Sequence, residues 1–301
     1  MYDQRLRAQT ILRGRISALF LFAVFLAVSV QASAQSATQT AQKSTQSKGA
    51  DDDDLIDADR PGLADGSTVV GPKRVQLESG VQAEFRRNGT ERDHALFIPT
   101  LLRIGIDKRF EARVESNTYT RSTTFDSDVQ TSQTSGIAPV SIGLKYHIED
   151  SKGVTRPSVG AIFRVFPASG TNGFQTDHVT GDLRLVADWD FAPHLSLNPN
   201  IGIGRYEDDR GKTFTTALFA LTLNFLPSKH LNPFVDMGVQ RPEESDGKSF
   251  VIFDSGVAYI IGRNVQLDIS AGTGVHGNTP PHPFIGFGVS FRTRVGVSHK
   301  P

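Results

Sequence analysis

From Arg74 to about Val295 apolar and polar residues alternate with a period of two, and that single pattern removes most folds from consideration. Successive side chains of a strand point to opposite faces, so each segment builds one apolar and one polar wall. The last segment shows this best. Ile285, Phe287, Val289, Phe291, Thr293 and Val295 share one face, while Gly286, Gly288, Ser290, Arg292 and Arg294 share the other. Before it, Val265, Leu267, Ile269, Ala271, Thr273 and Val275 oppose Gln266, Asp268, Ser270, Gly272, Gly274 and His276. Leu183, Leu185, Ala187, Trp189 and Phe191 likewise oppose Asp182, Arg184, Val186, Asp188 and Asp190.

A soluble β-sandwich also alternates, and three features speak against it. The segments run about 10 to 12 residues, the length of a tilted membrane-crossing strand, whereas sandwich strands commonly have about 5 to 6. Twelve segments fall near 74–85, 95–107, 109–121, 139–148, 156–167, 178–191, 194–206, 213–226, 232–241, 249–261, 264–276 and 283–295. That even number returns both chain ends to one side. The connections also alternate in character. Lys108, Ala192-Pro193 and Gly262-Arg263 are very short, whereas 122–138 and 168–177 are long and polar. Outer-membrane barrels have short periplasmic turns and longer outer loops, so the sequence predicts an all-β, transmembrane antiparallel barrel of about 12 strands.

The N-terminus supplies the route. Arg5, Arg7, Arg13 and Arg15 precede an apolar run from Ile16 to Val30, and Ala32-Ser33-Ala34 has the small-x-small pattern of a signal-peptide cleavage site. Residues 1–34 are therefore expected to be a signal peptide cleaved after Ala34. The remaining chain has 28 basic and 31 acidic residues, a net charge of about −3 that gives no electrostatic reason to expect nucleic acid. It has no cysteine, which excludes disulfides and an acylated-cysteine anchor. Residues 35–73 read as a disordered or irregular linker that could face the lumen; 74–295 form the barrel, and 296–301 a short tail. Asp51 to Asp54 is read as a solvated acidic run rather than a calcium site.

With the apolar face outward, Phe110, Tyr146, Trp189, Phe191, Phe225, Tyr259 and Phe291 fall near a periplasmic-side turn or the C-terminal end. They are candidates for a girdle at headgroup level. Asp59-Arg60-Pro61, Val75 to Gly80, Gly181-Asp182-Leu183 through Trp189, Asn232-Pro233-Phe234-Val235, Gln266 to Ser270, Gly272-Thr273-Gly274 and Gly288 to Arg292 occur in an order that carries a family resemblance. Over roughly residues 55–295 the chain resembles the outer-membrane family named for the MetA pathway of phenol degradation. That resemblance implies a transporter-like barrel handling small aromatic compounds. Barrels of this kind tend to end on an aromatic residue, whereas here Arg292 to Pro301 follow Phe291. The assembly signal is then either internal or tolerant of a tail.

The polar face gives the lumen candidates. The acids are Glu78, Glu84, Glu111, Glu115, Asp182, Asp188, Asp190, Asp236, Asp254 and Asp268; the bases are Arg103, Arg113, Lys145, Arg164, Arg184, Arg292 and Arg294. A turn centred near Thr279-Pro280 would set Asp268 almost opposite Arg292 as a cross-strand ion pair. Two readings stay open: a channel or facilitator for small aromatic or hydrophobic solutes through a narrow charged lumen, and a plugged structural barrel acting through its outer loops. Expected partners are outer-membrane lipid and lipopolysaccharide, the barrel-assembly machinery and a small solute.

Nothing points to an enzyme. Gly272 to Gly277 matches G-x-G-x-x-G, but it lies in a strand pattern where a dinucleotide site needs a helix N-terminus. No G-x-S-x-G elbow occurs, and His276 and His282 lack the further ligands of a metal site. No catalytic residue, cofactor or metal is expected.

Overall fold

The computed structural model describes residues 54–171, 173–240, 245–247, 249–276 and 283–296. The expected signal peptide, the linker up to residue 53 and the tail from residue 297 lie outside the described residues.

Thirteen strands follow one another: β1 (Arg74–Asn88), β2 (Glu91–Gly105), β3 (Phe110–Asp126), β4 (Val129–Gly136), β5 (Ser141–Glu149), β6 (Ser158–Phe166) and β7 (Thr180–Ala192) come first. They continue with β8 (Leu195–Glu207), β9 (Thr213–Phe225), β10 (Leu231–Gln240), β11 (Phe250–Ile261), β12 (Val265–His276) and β13 (Phe284–Arg294). Sequence neighbours pair antiparallel except at β4–β5, where β5 pairs with β3 instead, and the β1–β13 pairing closes the ring. The barrel has twelve staves, because β4 and β5 share one. β5 pairs with the first part of β3 (Phe110 to Glu115) and β4 with its far part (Thr120 to Asp126).

Burial is inverted relative to a soluble protein. Leu77, Val81, Leu183, Leu185, Phe287 and Val289 are exposed on the outer face, while Gln76, Glu78, Glu111, Lys145 and Ser290 have no exposed surface. Such an apolar exterior around a polar interior suits hydrocarbon, where a closed barrel satisfies every backbone group internally. No helix among the described residues could cross a membrane, and none is needed.

Two expectations from the sequence need correction. Residues 122–138 are not a loose loop: β3 runs on to Asp126, Ser127 and Asp128 turn with positive φ, and β4 returns to Gly136. Alternation disappears there because a hairpin that extends past the apolar belt has water on both faces. The second concerns the last hairpin. Asp268 lies opposite Gly288, not Arg292, and the residue opposite Phe291 is Val265. The true centre of that hairpin is one to two residues earlier than a turn at Thr279-Pro280 implies, which shifts every partner.

Residues 54–73 carry no regular structure, yet they are fixed inside the barrel. They walk the inner wall stave by stave. The Ile56 N–H donates to the Arg263 carbonyl (2.8 Å), Arg60 reaches β12, Leu63 β10, Asp65 β8, Ser67 the β6–β7 pair and Val70 β3. The segment leaves past β2, where a Cβ on Gly105 would lie 1.6 Å from the Gly71 carbonyl oxygen, so only glycine fits.

Candidate functional site

The lumen is organised around two adjacent residues of the inner segment that bond to opposite walls. The Asp59 carboxylate faces β2, β3 and β5, accepting from Arg113 Nη1 at 2.6 Å and Lys145 Nζ at 3.0 Å, with Arg103 Nη1 at 3.5 Å. Arg60 turns the other way, with Nη2 3.1 Å from Asp268 Oδ1, while the Gln266 side chain donates to its carbonyl at 2.9 Å. Asp65 extends the first group, 3.1 Å from Arg113 and 3.1 Å from Arg184, and its backbone is held in both directions by the Asn200 amide at 2.8 and 2.9 Å. Burial pushes the Asp59 carboxyl up, but Arg103, Lys145 and Arg113 outweigh it and hold it well below the usual carboxylate range. Burial acts on Asp65 too, and Arg113 and Arg184 again bring it below its ordinary value.

The wall residues are themselves paired. Arg103 grips Glu111 with two parallel bonds (2.8 and 3.0 Å) and reaches Glu78 at 3.1 Å. Glu78 then accepts the N–H of Arg60 at 3.0 Å, and Glu111 accepts the N–H of Val70 at 2.9 Å. Asp188 accepts the Ser67 N–H at 2.8 Å, and Asp236 the Leu63 N–H at 2.9 Å. A second cluster lies nearer the loop end. Arg164 holds Asp182 with two bonds (3.0 and 2.6 Å) and Glu115 with one (2.8 Å), stacks 5.2 Å above the Phe166 ring, and Tyr206 Oη donates to Asp182 at 2.7 Å.

One cavity lies on each side of the inner segment. The outer one, about 450 Å3, has Leu63 at its floor, Arg164, Arg184 and Tyr206 on one side, and Leu218, Ala220, Gly238 and Ile252 on the other. The inner one, about 280 Å3, is lined by Asp57, Asp59, Gly62, Asp188 and the amides of Asn198, Asn224 and Asn232. A segment one chain thick separates them. At the loop end, Phe174 from residues 168–177 lines a further cavity with Glu84, Asp93 and Thr120, so this connection leans over the mouth toward β1–β3.

Of the charged residues singled out from sequence, Glu78, Arg103, Glu111, Arg113, Lys145, Arg164, Asp182, Asp236, Asp254, Asp268 and Arg292 are buried. Glu115, Arg184, Asp188 and Glu84 are half-buried, while Asp190 and Arg294 are exposed near the chain-end rim. Arg292 donates to the carbonyls of Asp54 (2.7 Å) and Leu55 (3.2 Å), tying the start of the inner segment to β13. The seven aromatic residues fall toward the chain-end side of their strands. Phe110 and Tyr146 stack at 4.6 Å, and Trp189 packs with Phe191 at 5.8 Å.

Sequence reasoning overlooked Asp59, Arg60, Asp65, Ser67, Asn200 and Tyr206 as partners. One signal was present: Arg103, Arg113, Lys145 and Arg184 crowd adjacent staves, and the segment before the first strand offers nearby acids.

The profile of the family described as "Putative MetA-pathway of phenol degradation" matches residues 58–293. None of the curated proteins searched matches the chain. Among solved structures, an outer membrane channel from Pseudomonas putida F1 superposes with a TM-score of 0.56 at 10% identity, covering 75% of this chain and 98% of that one. The beta domain of the Bordetella autotransporter BrkA gives 0.50 at 11% identity, covering 73% and 99%. The CymD monoaromatic hydrocarbon channel gives 0.42 at 9% identity, covering 77% and 90%. At these identities the first two likenesses are of fold: a membrane-spanning barrel of the outer-membrane kind.

Proposed function

The chain belongs to the family of the MetA pathway of phenol degradation, and from that premise we propose an outer-membrane channel or facilitator for small solutes, aromatic and hydrophobic ones included, held closed by its inner segment. The observation that carries this is the pair of cavities on either side of residues 54–73. A structural barrel has no need of a 450 Å3 chamber, a volume within the range of small-molecule sites. Its two walls differ. Leu218, Ala220 and Ile252 suit a ring, whereas Arg184 and Tyr206 suit a hydroxyl or carboxylate on it. Passage then requires the segment near Leu63 to shift, and a conduit of this kind needs no catalytic group.

The proposal includes a route and an orientation. Residues 1–34 export the chain and are cleaved after Ala34. The assembly machinery inserts it with both ends periplasmic, the aromatic residues from Phe110 to Phe291 sit at the inner headgroups, and the tall β3–β4 hairpin faces lipopolysaccharide.

Planar-bilayer conductance and liposome uptake of phenol and benzoate test the reading. Removing residues 54–70 should raise both several-fold, with a heat-modifiable gel shift confirming that the barrel still forms. If neither form passes current or solute, the channel reading fails. The sealed lumen then favours the second reading, a barrel acting through its outer surface, for which deletion within 122–138 should abolish partner binding and spare folding.

A further inference from the structure

Asp236 of β10 and Asp254 of β11 face each other directly across the strand pair, 1% and 2% exposed. Like charges so placed repel, and the low-dielectric interior enlarges the cost. Most other buried lumen carboxylates meet a cation: Glu78 and Glu111 meet Arg103, Asp182 meets Arg164, Asp268 meets Arg60. Asp236 and Asp254 form no ion pair among the described residues, and the Oδ1 atom of each is buried with no partner beyond the other carboxyl.

A third oxygen lies beside the Asp236 carboxylate. Thr222 of β9 lies opposite Asp236, is 5% exposed, and its hydroxyl faces that carboxylate with no other partner among the described residues. A Cβ on Gly62 would lie 3.3 Å from Thr222 Oγ1 and 3.4 Å from Asp236 Oδ2, so both oxygens converge above one point of the inner segment.

We propose that Asp236, Asp254 and Thr222 form a binding site for a hard divalent cation of the Ca2+ type, which ties β9, β10 and β11 together beneath the inner segment. All the donors are oxygens, the ligands such an ion prefers, at about 2.3–2.6 Å. Opposed strand residues have Cβ atoms about 4.5–5.5 Å apart, a spacing from which two carboxylates can bracket one ion. A shared proton would cancel one of the two charges; a divalent ion cancels both. The approach is suited to a cation, because the inner cavity that Thr222 and Gly62 line also presents Asp57, Asp188 and three asparagine amides. Since Asp236 Oδ2 accepts the Leu63 N–H at 2.9 Å, the ion would also fix the carboxylate that anchors the inner segment.

Calorimetric titration of the refolded mature chain with CaCl2 decides this, in lipopolysaccharide-free detergent after treatment with chelator. One saturable site is expected, with Kd on the order of 10⁻⁴ to 10⁻³ M or tighter. Asp254→Asn and Asp236→Asn should each weaken it more than about tenfold. Thr222→Val should weaken it less, and Asp128→Asn, in the exposed hairpin turn, should leave it unchanged. Uptake of no Ca2+ by the folded wild-type chain overturns the proposal and leaves a proton-sharing pair. Undiminished binding by folded Asp254→Asn also overturns it, by placing the ion elsewhere. Should the carboxylate variants not fold, wild type and Thr222→Val still decide: equal affinity in the two rejects the site.

Discussion

The two halves of the lumen wall hold the same segment by opposite chemistry. On β2 through β7 the wall supplies guanidinium and ammonium groups to Asp59 and Asp65 of the segment, alongside the Glu111 and Asp188 carboxylates that accept its Val70 and Ser67 N–H groups. On β10 and β12 the wall supplies carboxylates, which the segment meets with the Leu63 N–H and the Arg60 side chain. The first half is a network in which Asp59, Asp65, Arg103, Arg113 and Arg184 each have two or more partners. The second has single bonds and a carboxylate pair, Asp236 and Asp254, that meets no cation among the described residues. Buried ion pairs are costly to break once made, because the remaining partner is stranded. The β2–β7 half therefore fixes the segment, and the β9–β12 half is where it can yield.

The largest effect should follow from Asp59→Asn. It strands Lys145, which has no exposed surface and whose ion pair is with Asp59. Loss of a partner from a buried pair costs about 3–5 kcal/mol. Urea denaturation of the refolded barrel should show that loss, and conductance should rise as the segment loosens. An unchanged midpoint together with unchanged conductance would mean that this half does not hold the segment.

Acid should act on the same half. The Asp59 and Asp65 carboxyls are held below their ordinary values, so their contribution is complete above the usual carboxylate range and is lost only as pH falls beneath it. Closure should thus persist from neutral pH to about pH 4 and fail below that. Conductance that rises between pH 7 and 5 would argue that other groups control the segment.

Glycines separate the two halves at a smaller scale. A methyl on Gly105 meets the Gly71 backbone at 1.6 Å, whereas one on Gly238 meets the tip of the Leu63 side chain at 3.2 Å. Backbone cannot step aside as a leucine methyl can. Gly105→Ala should cost about 1–3 kcal/mol, in the range of an overpacked core, and Gly238→Ala clearly less. Thermal unfolding of the two variants checks the ranking; equal losses would remove the distinction between a rigid and a yielding side.

How much of this was legible follows from what has a period. Strands with hydrocarbon on one side and the lumen on the other must alternate, so Ile285 to Arg294 and Val265 to His276 declared both face and extent. The hairpin at Ser127-Asp128 stands in water on both sides and lost that signature. Register is the weakest inference of all. Asp268 fell opposite Gly288 because the length of the connection, not the alternation, sets which residues meet. The inner segment has no period, so Asp59 and Asp65 were hidden as partners. Asp236 and Asp254 lie 18 positions apart, and only the β10–β11 register makes them neighbours.

The smallest effect should come from the pair with no ion-pair partner, measured without divalent ions. In chelator, Asp254→Asn removes a charge that nothing on the wall balances and leaves an amide able to donate to Asp236. Stability should change by no more than about 1 kcal/mol, and a gain is the expected sign, since relieving buried like charges is neutral or favourable. The same measurement on Asp59→Asn gives the large loss described above, so the two substitutions, chemically identical, should differ in sign across one lumen. Should Asp254→Asn in chelator instead lose as much as Asp59→Asn, the second half is also a tight anchor, and the segment would have to open from somewhere other than Gly62 and Leu63.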